Sequence, residues 1–399
     1  MADDDILDEL VFQVLEQRER GDARALDTLC EQHPEHASEL RRRVELLAGV
    51  GMLRERLEIP ERLGEFRLLR KLGEGGMGVV FEAEQPALAR RVAVKLVRPE
   101  QLYFSEARER FQREVEAVAR LAHPGIVPVY TVGDENGLPY YAMELVEGAS
   151  LEDALARLRG RDPARLKGSD LREAVVSVCV ERGFTVPAPN AADPLFSGTW
   201  AEACTWLARE VAQALEHAHQ RGVLHRDVKP SNVLVTPSGR VLLVDFGLAS
   251  TAGAERITRQ GTQIGSLPYM APEQIAGTPE RIGPRTDVYA LGVTLYELLT
   301  LTLPYAERDA TRLGLRIAAG RPERPRRRNP SLASDTELVC LSAMEIDPER
   351  RYESAAHFAR DLSNLLQHRA IEARPPSALL AVRRWAQRNP AGATALALG

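Results

Sequence analysis

The sequence predicts an α+β protein, with strands gathered in one stretch, helices in the next, and a short helical segment ahead of both. Two observations carry that assignment. Strand-like runs follow one another from Phe66–Leu72 through Val79–Ala83 and Val92–Leu96 to Val127–Val132 and Tyr140–Leu145. Apolar residues spaced three and four apart, the mark of a helix with one buried face, fill residues 1–60 and return from Ser150 onwards. At 399 residues the chain is too long for one average domain. Its 44% apolar and 27% charged content is that of a soluble globular protein. A net charge of −5 gives no case for nucleic-acid binding. Cys30, Cys179, Cys204 and Cys340 stand far apart, in neither metal-ligand nor disulfide spacing, which fits reduced thiols in a cytosolic protein.

Residues 1–60 read as a helical N-terminal extension. Leu7, Leu10, Val11, Val14 and Leu15 share one face, as do Leu40, Val44 and Leu47, with Arg41, Arg42 and Arg43 towards water. His33-Pro34 separates two helices. The segment is a small bundle or docking segment without chemistry; a regulatory partner surface is the sharper alternative. Its acidic start, Met1-Ala2-Asp3-Asp4-Asp5, lacks the basic and apolar regions of a signal peptide.

The strand at Phe66 leads into Gly73-Glu74-Gly75-Gly76-Met77-Gly78, where missing side chains let backbone N–H groups approach phosphates. A dinucleotide fingerprint would need a helix to start inside this motif. Val79-Val80-Phe81 follows instead, so the glycines sit in a hairpin. In Val92-Ala93-Val94-Lys95-Leu96 one lysine stands among apolar residues, and a buried ammonium needs an acidic partner. The helix Phe111–Leu121 offers Glu114 and Glu116.

The stretch His225-Arg226-Asp227-Val228-Lys229-Pro230-Ser231-Asn232 is the centre of the chain. A buried strand, Val233-Leu234-Val235, follows at once and holds it rigidly. Asp227 accepts a proton, Lys229 neutralises a phosphate and Asn232 offers an amide oxygen to a metal: the equipment for moving a phosphoryl group onto a hydroxyl. A second hairpin, turned at Pro237-Ser238-Gly239, ends in Asp245-Phe246-Gly247. A carboxylate at the end of an apolar strand is expensive unless a cation such as Mg²⁺ compensates it.

Taken together and in order, the glycine hairpin, Lys95, Glu114, the Asp227 loop, Asp245 and the segment Gly265–Glu273 resemble the eukaryotic-like Ser/Thr protein kinases, over roughly residues 66–368. The order basic, Trp, apolar at the end of the chain also resembles the bacterial receptor-type members. That resemblance implies a two-lobed fold, a β-rich lobe at 66–146 and a helical lobe at 147–368, and ATP as phosphoryl donor. It implies that Gly73, Gly75 and Gly78 fold over the phosphates. Lys95 would hold the α- and β-phosphates, positioned by Glu114, which motif alignment selects over Glu116. Asn232 and Asp245 would hold Mg²⁺, with Mn²⁺ as an alternative. Asp227 would orient the substrate hydroxyl and take its proton, and Lys229 would stabilise the moving phosphoryl group. Leu72, Val80, Ala93 and Leu234 would enclose the adenine, with Met143 behind it and the backbone of Glu144 and Val146 bonded to it. Asp287 would anchor the catalytic loop, and Arg351 would pair with Glu273. Arg226 would meet a phosphate on the following loop, at Thr258 first and Thr262 second, with Thr251 a further candidate. The implied partners are Ser/Thr-bearing proteins and a second copy of the chain for phosphorylation in trans.

Three stretches depart from that pattern. Residues 160–200 are longer than the usual link and rich in proline, with one helical piece at Leu171–Cys179, and read as a surface insertion. The next helix, Trp200–Gln220, would face inward with Trp206, Val211, Leu215 and Ala218. Arg321–Arg328 reads as a solvated basic loop. Finally, residues 369–399 place Arg383, Arg384, Trp385 and Arg388 before a small apolar run from Pro390. This is either a disordered end or the flank of a membrane helix starting near residue 390, with the kinase at the inner face of the plasma membrane. The rival to an active enzyme is a pseudokinase or nucleotide-binding scaffold, which would have lost Lys95, Asp227, Asn232 or Asp245; all four are present.

Overall fold

The computed structural model describes residue 7, residues 9–14, residue 17, and residues 24–49, 61–75, 78–97, 105–135, 138–188, 193–246, 265–307 and 309–373. Two compact units emerge: Met1–Arg120 with Pro128–Leu145, and Leu121–Val127 with Val146–Gly399.

The first unit opens with the expected helices. Leu7, Leu10, Val11 and Val14 share a core with Leu29 and Cys30 of α1 (Ala25–Gln32) and Leu40 and Val44 of α2 (Ala37–Gly49). The break at His33-Pro34 is closed by His33 N–H donating to Leu29 O at 3.0 Å. Arg41 and Arg42 are exposed; Arg43 is half-buried and bonds Glu39. Leu15 and the Leu47 side chain lie outside the described residues.

A six-stranded antiparallel sheet follows, built from β1 (Arg62–Leu63), β2 (Phe66–Gly75), β3 (Gly78–Gln85), β4 (Arg90–Val97), β5 (Val129–Glu135) and β6 (Leu138–Glu144) in the order β1-β2-β3-β4-β6-β5. Alternation along the strands sorts the side chains. Val79, Phe81 and Ala83 join Val92, Val94, Leu96, Tyr140 and Ala142 in one apolar cluster. The residues between them, Val80, Ala93, Lys95 and Met143, fall on the other face. Helix α3 (Ser105–Ala119) buries Phe111, Val115 and Val118. It stops two residues short of Leu121, the expected end.

The second unit is helical around a small sheet of β7 (Ala149–Ser150), β8 (Val233–Val235) and β9 (Val241–Leu243). Residues 121–127 join it because Leu243 N–H donates to Gly125 O at 2.9 Å and Val127 N–H to Leu243 O at 3.0 Å. Ser150 caps α4 (Leu151–Leu158), its hydroxyl accepting from Asp153 N–H at 3.1 Å. Further on come α5 (Gly168–Glu181), α6 (Pro194–Ser197), α7 (Trp200–His219), α8 (Pro272–Ile275) and α9 (Pro284–Thr300). They are followed by α10 (Ala310–Ala319), α11 (Pro325–Arg328), α12 (Ser334–Ala343) and α13 (Ala355–Leu366). Every residue from Thr286 to Thr300 is buried, so α9 is the axis on which this unit is assembled.

Three expectations need correction here. Residues 160–200 are exposed at Gly160–Asp162 and at Val180 and Glu181, but they are not surface throughout: Leu171, Val175 and Cys179 of α5 are fully buried, because this helix lays its apolar side on α4. Trp206 is only half-buried and lies beneath the Arg209 guanidinium, 3.7 Å from its ring centre. At 100° per residue the inner line of α7 runs through Trp200, Cys204, Leu207, Val211 and Leu215 instead, and Trp200 Nε1 donates to Leu298 O at 2.8 Å. Arg326, Arg327 and Arg328 are solvent-exposed as expected, but in the helical turn α11 and not a loop.

Candidate active site

The first unit carries the glycine hairpin and the lysine. Gly73 pairs with Val80 and Gly75 with Gly78 across β2 and β3, which confirms a hairpin and not the strand-to-helix turn of a dinucleotide site. Gly78 is held at φ +152°, and a Cβ there would lie 2.0 Å from the Leu96 carbonyl oxygen. No atom lies within 4 Å of the corresponding point at Gly73 or Gly75, so backbone is all that stands there. Lys95 lies opposite Val80 on one side and Tyr141 on the other, and Ala93 lies opposite Met143. Directly opposed residues share a face, so the sheet gathers Val80, Ala93, Lys95 and Met143 on one surface. Lys95 is buried; Leu72 and Val80 are half-buried. On α3, Glu114 sits three residues after buried Phe111 and one before buried Val115, at the edge of the inner face. Glu116 is exposed and takes a bond from Gln112, as a solvated position does. Glu144 N–H donates to Pro128 O at 3.1 Å.

The second unit holds the loop His225–Asn232. Asp287 receives two backbone N–H groups from it: His225 N–H on Oδ2 at 2.8 Å and Arg226 N–H on Oδ1 at 2.7 Å. His219 Nε2 reaches the same Oδ2 at 2.8 Å. Burial alone would raise the Asp287 carboxyl; the bonds from His219 and His225 outweigh it and hold it below the usual carboxylate range. Burial pushes the His225 imidazole down, so it stays neutral. Its Nδ1 accepts from Asp227 N–H at 3.3 Å and its Nε2 donates to Val244 O at 3.0 Å. The loop is thereby fixed from three sides, and Arg226 is forced to φ +64°, a conformation non-glycine residues adopt only when surroundings impose it.

Within this frame Asp227 is tightly set. Its Oδ2 accepts from Lys229 Nζ at 2.8 Å and from Asn232 Nδ2 at 3.0 Å, and Asn232 Nδ2 also bonds the Asp227 carbonyl at 2.7 Å. Lys229 continues to Ser266 Oγ at 2.5 Å. Because the Asn232 amide nitrogen is committed to Asp227, its oxygen, with Ser231 Oγ at 3.4 Å, is the atom left for a cation. Asn232 O accepts from Val244 N–H at 3.0 Å, which binds the loop to the chain just ahead of Asp245. Asp245 itself stands at φ +55° between Val244 and buried Phe246, whose ring lies 4.7 Å from that of His225. Leu234 pairs with Leu242 and with Ser150, and Val146 is buried.

The closing segment is anchored by a buried ion pair. Glu273 Oε1 and Oε2 accept from Arg351 Nη1 and Nη2 at 2.7 Å each, and Thr286 Oγ1 adds a bond at 2.9 Å. Gln274 Nε2 donates to Arg226 O at 3.0 Å. Sequence reasoning missed His219, Ser266, Gln274 and Thr286. Each is an ordinary polar residue whose role comes from a partner between 13 and 68 positions away. Thr251, Thr258, Thr262 and Gly247 lie outside the described residues, as does everything beyond Ala373.

Comparison with known proteins agrees with this arrangement. Residues 66–357 match the family model described as protein tyrosine and serine/threonine kinase. The serine/threonine-protein kinase PrkC of Bacillus subtilis is 31% identical over 299 residues, covering 75% of this chain and 40% of that protein. For the serine/threonine-protein kinase PknD of Mycobacterium tuberculosis the figures are 36% over 307 residues, 76% and 40%. The chain thus spans about two fifths of the length of these curated relatives. Among solved structures, the kinase domain of Mycobacterium tuberculosis PknI superposes with a TM-score of 0.55 at 27% identity, covering 78% of this chain and 99% of that one.

Proposed function

The chain belongs to the protein tyrosine and serine/threonine kinase family and carries its fold, and from that premise we propose that it is an active serine/threonine protein kinase using ATP and Mg²⁺. The observation that carries the reading is the setting of Asp227. Its carboxylate is held between Lys229 Nζ and Asn232 Nδ2 on a loop that Asp287 immobilises.

In this reading the Ser or Thr hydroxyl of a protein substrate donates to Asp227, and the proton passes there as the oxygen bonds the γ-phosphorus. The bond to the β,γ-bridging oxygen breaks and ADP leaves. Lys229 lies within reach of both Asp227 and Ser266, so its charge stands where negative charge grows on the transferring group. Its presence two residues after Asp227 favours Ser/Thr over Tyr as acceptor. Lys95 would hold the α- and β-phosphates, positioned by Glu114, and the backbone at Gly73, Gly75 and Gly78 would cover them. Asn232 through its amide oxygen and Asp245 through its carboxylate are the residues that would hold Mg²⁺. A bound cation neutralises phosphate charge and compensates the carboxylate at the end of β9. Phosphorylation of Thr258 or Thr262, met by Arg226, would order the loop between Asp245 and Glu273. Two copies would achieve it in trans. Placement at the inner face of a membrane rests only on the basic-then-apolar sequence of residues 383–399. No helix among the described residues is long and apolar enough to cross a membrane.

The test is transfer of radiolabel from ATP to a generic protein substrate by the wild type, Asp227→Asn and Lys95→Met. Losing the proton acceptor should lower the rate about 10²- to 10⁴-fold. Equal labelling by all three would refute catalysis at this site. Phosphopeptide mapping that finds nothing on residues 248–264 would count against activation in that loop.

A further inference from the structure

The insertion between α4 and α7 has no part in the chemistry above, yet one of its side chains reaches towards it. Arg182 follows the last turn of α5. Its Nη2 donates to Asp153 Oδ2 at 2.8 Å, and its Nη1 meets the Gly148 carbonyl oxygen at 3.4 Å. Asp153 also accepts the Ser150 hydroxyl at 2.6 Å while its own N–H is capped by that hydroxyl. One guanidinium therefore grips both ends of the stretch Gly148–Asp153.

That stretch has little freedom elsewhere. Gly148 packs so closely on β8 that a Cβ would lie 2.7 Å from the Val235 carbonyl oxygen. Ala149 and Ser150 pair with Val235 and Leu234 of β8, the strand that begins directly after Asn232. Gly148 N–H donates to Val146 O at 2.9 Å, tying the stretch to the residue whose backbone would bond the adenine. The insertion supplies a firm base for the grip. Helix α5 is seated by its buried face, and its first residue, Gly168, donates to Gly198 O at 2.9 Å just ahead of α7. An ion pair this exposed, 32% and 40% on its two sides, adds little to overall stability, so its consequence is geometric.

We infer that Arg182 is a positioning residue for the nucleotide, holding the segment Val146–Ser150 in the conformation that the adenine end of ATP requires. The segment between α4 and α7 is then a brace for ATP binding. This rests on the reading of the chain as an ATP-dependent kinase.

A neighbouring pair supplies the control. Arg157 of α4 donates to Ser177 Oγ at 2.7 Å and to Glu181 Oε1 at 2.8 Å, joining the same two helices without touching Val146–Ser150. ATP affinity by calorimetry and steady-state kinetics would be measured on the whole chain as wild type, Arg182→Ala, Asp153→Asn, the double variant and Arg157→Ala. Arg182→Ala should weaken ATP about three- to tenfold in both Kd and KM, with kcat and the KM for protein substrate nearly unchanged. The double variant should be no weaker than Arg182→Ala alone, and Arg157→Ala should bind ATP as the wild type does. Arg182→Ala and Arg157→Ala behaving alike, whether both are silent or both lower kcat with the thermal midpoint, would reduce Arg182 to a structural brace and overturn the inference. A wild type that binds no ATP would overturn the kinase reading together with it.

Discussion

Replacing Arg351 by Met while Glu273 stays is the perturbation whose cost the structure sets most directly. The two side chains are 0% and 1% exposed and share two bonds of 2.7 Å. Burial alone would raise the Glu273 carboxyl; the guanidinium, its hydrogen bonds and Thr286 hold it down instead. Without Arg351 the carboxylate keeps only Thr286 among these side-chain donors, and the carbonyls of Arg285, Glu345 and Ile346 lose the donor they share. Leaving one charge of a buried pair uncompensated costs about 3–5 kcal/mol. Set against a total stability of about 5–15 kcal/mol, this is a large share. It should lower the unfolding midpoint by roughly 10 °C. Urea unfolding followed by circular dichroism and by fluorescence of buried Trp200 measures it. Adding Glu273→Gln should recover about 1 kcal/mol or more, since the orphaned charge is then gone. A loss under about 1 kcal/mol in the single variant, or a double variant that loses the sum of both singles, would refute the reasoning.

Two further outcomes follow from the same structure. Gly78→Ala forces a Cβ to within 2.0 Å of the Leu96 carbonyl and should destabilise the first unit by about 2 kcal/mol, whereas Gly75→Ala meets nothing within 4 Å and should leave thermal stability unchanged; equal midpoints for the two variants would contradict this. Burial lowers the folded pKa of His123, His217 and His225 below the ordinary 6.5, so the unfolded chain binds more protons than the folded one below that pH. Stability should therefore fall as pH drops through 6.5 towards those lowered values, whereas Asp287 and Glu273, lowered from 3.8 and 4.5, release their contribution only in stronger acid. Thermal midpoints between pH 7 and 5 test the first window, and His123→Gln with His217→Gln should flatten the curve; a flat wild-type profile there speaks against it.

Much of this protein is legible in its sequence because the groups proposed to react lie close together along the chain. Asp227, Lys229 and Asn232 span six positions, and the bonds among them are local consequences of one loop. The glycine hairpin and the strand bearing Lys95 follow from a period of two, which also fixes which residues share a face. Helix periodicity was less decisive in residues 160–200, where α5 carries alternating small and β-branched residues with weak contrast between faces; only its packing on α4 decided that its apolar face is buried.

What the tertiary structure added is the full set of contacts that hold the loop His225–Asn232 and the segment after it. Asp287 meets His225 and Arg226 across 62 and 61 positions, and Arg351 meets Glu273 across 78. Family resemblance named these two anchors, but no local pattern marks His219 as the companion of Asp287, Thr286 as that of Glu273, Ser266 as that of Lys229 or Gln274 as that of the Arg226 carbonyl. Nor does any pattern make Arg182, one arginine among many on a helix end, the side chain that reaches Gly148. Spacing along a chain fixes which groups one element presents; which elements meet depends on the packing of apolar faces, and these polar contacts form only after that packing has brought their partners together.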